Sequence, residues 1–252
     1  MSGRAVLVTG GTRGIGRAIA EAFLAGGDAV FVCGRKAPES TPEIGGERAT
    51  YLQTDVRDPA SAEQAVAAIV SAHGRLDVLV NNAGGSPYAL TADASPRFLS
   101  AIIDLNLTAP LLMARLANAV MQPGAGGVII NIASVSGTRA SPGTAAYGAA
   151  KAGLLNATRS LAVEWAPKVR VVAVTVGLVE TEASRSHYGG ADGVARVAAT
   201  VPLGRMASPE DVAGACVFLA SPQAAYVNGA SLTLDGGGER PAFLDAADGG
   251  KR

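Results

Sequence analysis

Short runs of β-branched and other apolar residues alternate with longer amphipathic or alanine-rich stretches along most of the chain. Runs such as Ala5-Val6-Leu7-Val8 and Val128-Ile129-Ile130 lack the polar alternation of a half-wet strand, so they read as strands covered on both faces. Strands are predicted at 5–9, 29–33, 50–53, 78–81, 128–132, 170–176 and 231–234, and helices at 15–25, 61–72, 96–121, 145–165 and 209–220. Ser61, Ser95 and Ser208 stand where three of these helices need an N-cap acceptor. Alternation of strand and helix predicts an α/β fold, a doubly wound parallel sheet of about seven strands with helices on both faces. One crossover breaks the pattern. Residues 36–48 contain Pro38, Pro42 and Gly45-Gly46, so a loop with at most a turn or two of helix is expected there. No repeat or linker divides the chain, so residues 1–244 are expected to form one domain and the polar segment 245–252 a flexible tail.

Charge narrows the classes of partner. The 21 basic and 21 acidic residues cancel, and no segment concentrates one sign, which argues against nucleic acid and anionic membrane surfaces. The longest uncharged stretch, 116–138, is interrupted by Asn118, Gln122-Pro123-Gly124 and Gly126-Gly127, so it reads as a helix end, a turn and a buried strand. The N-terminus enters a strand without a charged leader or apolar signal core, and a cytoplasmic location is expected. Cys33 and Cys216 lie far apart inside apolar runs and read as buried thiols. His73 and His187 are the only histidines, so no metal is expected.

The run Gly10-Gly11-Thr12-Arg13-Gly14-Ile15-Gly16 follows the first strand and opens the first helix. Glycines there let the backbone approach a pyrophosphate, while the helix N-terminus supplies N–H donors and positive dipole. The architecture is therefore expected to be Rossmann-type. The residue that reads the adenosine ribose falls about twenty residues further on, at the end of the second strand. Here that place holds Gly34-Arg35-Lys36. An acid would accept from the 2′-hydroxyl of NAD, whereas the Arg35 guanidinium pairs with a 2′-phosphate, and Arg13 adds a second cation. The expected cofactor is NADP(H).

Tyr147 and Lys151 are four residues apart at the start of a helix and share one face. A nearby ammonium favours the phenolate and lowers a tyrosine pKa from its ordinary value of about 10, which suits Tyr147 to proton transfer. Ser134, just past a buried strand, can hydrogen-bond a substrate oxygen and share a developing alkoxide. Asn106 is a poor helix former placed inside a long apolar helix.

Together with the glycine turn, Asp55-Val56, Asn81-Asn82-Ala83-Gly84, Asn106, Ser134 and Tyr147-Gly148-Ala149-Ala150-Lys151 occur in the order and spacing of the short-chain dehydrogenase/reductase family, which the chain resembles over nearly its whole length. Val201-Pro202-Leu203-Gly204-Arg205 and Leu234-Asp235-Gly236-Gly237-Gly238 resemble the 3-oxoacyl-thioester reductase branch. The resemblance implies a hydride transfer between nicotinamide and a carbonyl or secondary alcohol, with Asn106, Ser134, Tyr147 and Lys151 catalytic. It implies that Asn106 holds a water linking Lys151 to solvent, and that Lys151 also binds the nicotinamide ribose. Asp55 and Val56 are to contact the adenine, and Asn82, Ala83 and Gly84 to line the cofactor. Gly177, Val179 and Thr181 are to serve its nicotinamide end, although Val176 stands where the family usually has proline.

The segment Glu182-Ala183-Ser184-Arg185-Ser186-His187-Tyr188-Gly189-Gly190 occupies the place of the family's substrate lid, with His187 and Tyr188 as candidate substrate contacts. Val135, Gly137, Ala140, Pro142, Leu178 and Val179 suggest a small apolar pocket floor without a charged anchor. A 3-oxoacyl thioester or similar hydrophobic ketone is the expected substrate. Alternatives are a cyclic or steroid-like alcohol and, outside enzymes, a non-catalytic NADP-binding regulator, against which the intact set of four catalytic residues argues. Lys168 and Arg170 are the only basic residues near the family's carrier-docking positions, which makes a carrier-protein partner doubtful. Helices 96–121 and 145–165 carry small and apolar residues on more than one face, and the family pairs them about a two-fold axis, so a homotetramer is expected, with a dimer second.

Overall fold

The computed structural model describes residues 3–182, 184, 188–239, 241 and 243. The chain runs β1 (Ala5–Thr9), α1 (Gly14–Ala25), β2 (Ala29–Gly34), β3 (Glu43–Ile44), β4 (Glu47–Arg48), β5 (Thr50–Gln53), α2 (Pro59–His73), β6 (Val78–Asn81), α3 (Pro96–Ile103), α4 (Ala109–Met121), β7 (Gly127–Ser134), α5 (Ala145–Trp165), β8 (Val169–Val176), α6 (Ala191–Ala198), α7 (Pro209–Leu219) and β9 (Ser231–Leu234). Seven strands pair in the order β5-β2-β1-β6-β7-β8-β9, all parallel. This is the doubly wound Rossmann-type sheet expected from the alternation of elements.

Alternate residues of each strand feed two cores. Val6, Val8, Ile130, Val172 and Val174 pack under α1 and α7 through Ile19, Phe23, Val212 and Leu219. Leu7, Leu79, Ile129 and Val171 face the other way, under Ile69, Met113, Met121 and Ala162 of α2, α4 and α5. Cys33 and Cys216 are free thiols buried in these cores, where desolvation pushes each up to about 12. The strand order reverses between β1 and β6, and the crevice at that switch point, at the C-terminal ends of the strands, is where such sheets bind ligands.

Four local features differ from expectation. Residues 36–48 carry a two-stranded hairpin, β3 paired with β4, where a loop with at most a turn or two of helix was expected. Gly45 and Gly46 form its turn at φ +60° and +86°, which glycine adopts at no steric cost. The cap of α2 is Asp58, whose carboxylate accepts from the Ala60 amide, because Pro59 takes the first helical position. Ser61 instead accepts from the Asp55 amide at 3.2 Å. Ser95 and Ser208 do cap α3 and α7, Ser208 in a reciprocal box with Asp211. Helix α6 was not anticipated; its pattern is short and lies beside the lid segment.

Helices α3 and α4 form one run, Pro96–Met121, interrupted by a π-helical turn over Asp104–Thr108. There the Ala109 amide reaches back five residues to the Asp104 carbonyl, and Asn106 Nδ2 donates to the Ile102 carbonyl at 2.9 Å. A poor helix former thus sits where the helix is locally widened. Pro96–Met121 is long and apolar enough to cross a membrane by length and composition, but Met113, Ala117 and Met121 on one side are buried against the sheet. The stretch 116–138 is the end of α4, a turn and β7.

Candidate active site

The crevice is built first by hydrogen bonds between the ends of β1 and β6. The Thr9 hydroxyl accepts from the Asn82 and Ala83 amides at 3.0 and 2.9 Å, and Asn82 Nδ2 donates to the Thr9 and Gly10 carbonyls at 2.9 and 3.2 Å. This stapling leaves no room for a side chain at Gly16, where a Cβ would lie 2.3 Å from the Gly10 carbonyl oxygen. Gly10 and Gly14 adopt φ +64° and +52°. The Thr12 side chain lies 3.9 Å from where a Cβ on Gly34 would stand, and Ile15 packs back on the core. Arg13 precedes α1 and offers no side-chain acceptor to it, so the first helix amides stay available to an anion.

The far end of the crevice is an open cavity of ≈ 480 Å³ lined by Arg35, Gln53, Asp55 and Ser61. Arg13 and Arg35 are both exposed, and neither forms an ion pair among the described residues. Val56 is buried beneath the cavity in the second core. Asp55 is held by a residue that sequence reasoning passed over. Arg57 Nε and one terminal nitrogen fork its two oxygens at 2.9 and 2.6 Å. Those hydrogen bonds, with the Arg35 charge adding, hold the Asp55 carboxyl below the usual carboxylate range. The spacing of two residues across a turn was the available signal.

Ser134 ends β7, and its Oγ accepts from the Ser136 amide at 3.2 Å. Tyr147 is on the first turn of α5, where the Ser134 hydroxyl acts to lower the pKa of its phenol. Lys151, one turn on, is buried; its Nζ donates to the Ile132 carbonyl at 2.8 Å and lies 5.6 Å from the centre of the Tyr147 ring. Asn106 is fully buried, with Oδ1 accepting from the Gly85 amide at 2.8 Å and Nδ2 donating to the Gly85 carbonyl at 2.9 Å. A Cβ on Gly84 would lie 2.7 Å from Asn106 Oδ1 and 3.4 Å from Lys151 Nζ, so Gly84 must lack a side chain for the loop to pass between them. Four residues from three elements therefore converge.

The electrostatics differ from the simple expectation. Burial lowers Lys151 to about 8, since no carboxylate accompanies it inside. Burial also raises Tyr147, and the neighbouring Ser134 hydroxyl offsets this only in part. Spacing placed an ammonium near the phenol, but desolvation, a tertiary property, sets the direction. The site thus holds a neutral phenol beside a lysine still mostly protonated at pH 7, an arrangement suited to donating a proton.

A second set, Asn81 of the family motif with Asn131 and Thr158, which the sequence did not single out, fixes α5 to the sheet. Asn81 Nδ2 donates to Asn131 Oδ1 at 2.9 Å, Asn131 Nδ2 to Thr158 Oγ1 at 2.9 Å, and Thr158 Oγ1 to the Leu154 carbonyl at 2.8 Å. All three side chains are buried. Asn131 neighbours Ile132, the acceptor for Lys151, so this chain holds the strand and helix that Lys151 joins in one register.

At the end of β8, Val176 stays in the ladder opposite Leu234, where the family's proline would end it. Gly177 follows; a Cβ there would meet Asp235 Cα at 2.8 Å. The Leu178 carbonyl and the Glu180 amide bond Ala207 at 2.9 and 2.8 Å, which turns the amide and carbonyl of Val179 toward the opposite side. The Thr181 methyl reaches to 3.9 Å from the Cβ position of Gly14, so this loop touches the glycine turn. Of the lid segment, Ala183, Arg185, Ser186 and His187 lie outside the described residues, as does the tail 245–252. Tyr188 is half-buried, its amide donating to the Ser184 carbonyl at 2.9 Å.

The expected apolar floor is only partly formed. Val135, Leu178 and Val179 are half-buried, whereas Ala140 and Pro142 are exposed and Gly137 faces the backbone of Lys151 and Ala152. A charged pair that the sequence did not suggest, Arg139 with Glu239, stands at this side. Among the described residues no group of three or more His, Cys, Asp or Glu is arranged to hold a metal.

Comparison with known proteins agrees with this geometry. A family model described as enoyl-(acyl carrier protein) reductase matches residues 10–239. The short-chain type dehydrogenase/reductase y4vI of Sinorhizobium fredii is 40% identical over 243 residues, 93% of this chain but 43% of that longer protein. D-threitol dehydrogenase of Mycolicibacterium smegmatis is 36% identical over 243 residues, 94% of this chain and 93% of its own. The 3-oxoacyl-(acyl-carrier-protein) reductase FabG of Escherichia coli is 37% identical over 238 residues, 93% and 97% of the two chains. The aldohexose dehydrogenase of Thermoplasma acidophilum superposes with a TM-score of 0.86 at 30% identity, covering 93% of each chain. The chain belongs to the short-chain dehydrogenase/reductase family of oxidoreductases.

Proposed function

We propose that this protein is an NADP(H)-dependent oxidoreductase that interconverts a ketone and a secondary alcohol, with Tyr147 as the acid/base. The observation that carries the reading is the buried Lys151, whose Nζ donates to the Ile132 carbonyl on the strand that ends in Ser134 and lies 5.6 Å from the centre of the Tyr147 ring. Bound in the crevice, the nicotinamide supplies or accepts the hydride. Ser134 and Tyr147 hydrogen-bond the carbonyl oxygen, and the neutral Tyr147 phenol delivers its proton to that oxygen as negative charge develops. Lys151 holds positive charge beside the phenolate so formed. Asn106, on its π-helical turn, lies on the path by which the proton is replaced. A raised phenol pKa keeps Tyr147 protonated at neutral pH, as proton donation to a carbonyl oxygen requires.

The residues present fit the cofactor. Gly10, Thr12, Arg13, Gly14, Ile15 and Gly16 would form the pyrophosphate cradle, and the closed Cβ position at Gly16 lets the first helix pack closely against the end of β1, as such a turn requires. Asp55 and Val56 serve the adenine, and Asn82, Ala83 and Gly84 line the crevice. Tyr147 and Lys151 reach the nicotinamide ribose, and Gly177, Val179 and Thr181 serve the nicotinamide end. Arg13 and Arg35, which form no ion pair among the described residues, favour a 2′-phosphate. The test is kcat/KM with NADPH against NADH, measured over acetoacetyl thioesters, cyclic ketones and sterols. A preference for NADPH of about tenfold or more is expected, and Arg35→Ser should erase it, because a guanidinium–phosphate fork is the discriminating contact.

A 3-oxoacyl thioester or similar ketone remains the substrate best matched to the half-buried apolar wall of Val135, Leu178 and Val179. A carrier-protein partner is disfavoured. Lys168 donates to the Gln122 and Gly124 carbonyls, and Arg170 to the Val227 and Leu219 carbonyls, so both cations are engaged within the protein. One domain, 1–244, serves cofactor and substrate together, in the cytoplasm. The exposed face of α5, with Ala145, Ala149, Ala152, Asn156 and Val163, fits a close helix pairing in a homotetramer, with a dimer second. Light scattering that shows a monomer at working concentration refutes this assembly.

A further inference from the structure

Arg139 and Glu239 are 100 residues apart in sequence and form an ion pair that the hydride and proton transfers do not use. Arg139 lies on the loop that carries β7 into α5, between Ser134 and Tyr147. Glu239 lies on the segment leaving β9. The strands are ordered β7-β8-β9, so a bond between those two loops must pass over the C-terminal end of β8, where Gly177 and Val179 turn toward the crevice. Both anchors are fixed by backbone contacts. The Arg139 amide donates to the Val135 carbonyl at 3.1 Å, and on the other side the Leu203 amide donates to the Gly236 carbonyl at 3.1 Å. The ion pair thus ties the loop that follows Ser134 to the segment that leaves β9, both at the C-terminal ends of the strands.

We propose that Arg139 is a specificity-determining residue, which takes an anionic group of the substrate, a carboxylate or a phosphate, at the place Glu239 now occupies. The inference rests on the reading that this cleft handles a ketone or alcohol. A guanidinium has five N–H donors in a planar fork that matches either anion. Among the described residues one nitrogen donates to Glu239 and another to the Ala140 carbonyl at 2.9 Å, which leaves donors for a ligand. Arg139 and Glu239 are 42% and 43% exposed, so the pair exchanges readily in water, and Glu239 stays hydrated once displaced. Glu239 then has two effects: it keeps the guanidinium in place, and it competes with the substrate anion.

This competition separates the proposal from a merely structural pair. A structural clasp weakens whichever partner is removed, so both substitutions act in the same direction. Here they act in opposite directions. The experiment measures kcat/KM for two matched pairs of ketones: acetoacetate against ethyl acetoacetate, and acetoacetyl-CoA against the N-acetylcysteamine thioester. Arg139→Gln should lower the preference for the anionic member by about tenfold, and Glu239→Gln should raise it, because one removes the fork and the other its competitor. A response in the first pair identifies a carboxylate near the reacting carbon, and a response confined to the second a phosphate on the thioester arm. Substitutions that leave both preferences unmoved, that act in the same direction, or a wild-type enzyme that refuses both anionic members, overturn it. An enzyme that reduces none of the four with either cofactor overturns the parent reading instead.

Discussion

The two ends of the same sheet are built on opposite principles. At the N-terminal end of the strands, charges are answered. Arg4 forks Asp28 at 3.0 and 2.6 Å and caps the Ala220 carbonyl at 2.6 Å, while Asp77 accepts from the Ala5 amide and from Arg75, both at 2.7 Å. At the C-terminal end Arg57 pairs with Asp55 and Arg139 with Glu239, but Lys151 is buried without a carboxylate, Arg13 and Arg35 form no ion pair among the described residues, and Gly10 and Gly14 take left-handed backbone. Saturated partners at one end stabilise the fold. Under-neutralised cations and constrained turns at the other end cost stability and leave donors free for a ligand.

Substitutions at the two ends should therefore separate activity from stability. The largest effect is expected for Tyr147→Phe, which should cut turnover by about 10³-fold with its melting temperature and NADPH binding retained, since the loss is of a proton donor and not of packing. Turnover retained in Tyr147→Phe would end the assignment. Lys151→Met should also silence the enzyme, yet stabilise it at pH 7 by as much as about 3 kcal/mol, because the buried ammonium is held well below its ordinary pKa. The sign follows from linkage. Lys151 titrates near 8 in the folded protein and higher when unfolded, so between those values the unfolded chain binds more protons and stability rises with pH. Denaturant midpoints of wild type and Lys151→Met should accordingly converge as pH climbs through 8 toward 10. The rate of ketone reduction should fall over the same range, as the ammonium is lost.

At the opposite end the pattern should invert. Asp28→Ala leaves Arg4 unpaired against a buried strand start and should cost about 2 kcal/mol, read from chemical denaturation, with kcat unchanged. Ser208→Ala, next to the Ala207 that pairs with the Val179 loop, removes the reciprocal cap of α7 and should cost about 1 kcal/mol. A loss of turnover in Asp28→Ala without loss of stability would break the division between the two ends.

Much of this molecule is legible along the chain because its determinants are local. Strand runs buried on both faces, caps at Ser95 and Ser208, and a tyrosine and lysine one helical turn apart all depend on residues near each other in sequence. The misses have the same explanation in reverse. Pro59 transferred the α2 cap to Asp58, and Gly45-Gly46 turned the expected loop into a hairpin, each a choice between two locally allowed conformations. Asp55 and Arg57 were close enough to find, but a fork across a turn is one of many contacts that two exposed side chains can make.

The sequence by itself determined the order of strands and helices, the glycines that admit a close backbone, and which side chains could carry a proton. Tertiary structure decided how those side chains behave. It lodged Asn106, Gly84 and Lys151 against one another from three separate elements, joined β7 to α5 through Asn131 and Thr158, and drew Arg139 to Glu239 across β8. It also set the direction of the tyrosine pKa, because desolvation depends on everything packed around a group, and spacing along one helix records only its nearest neighbours.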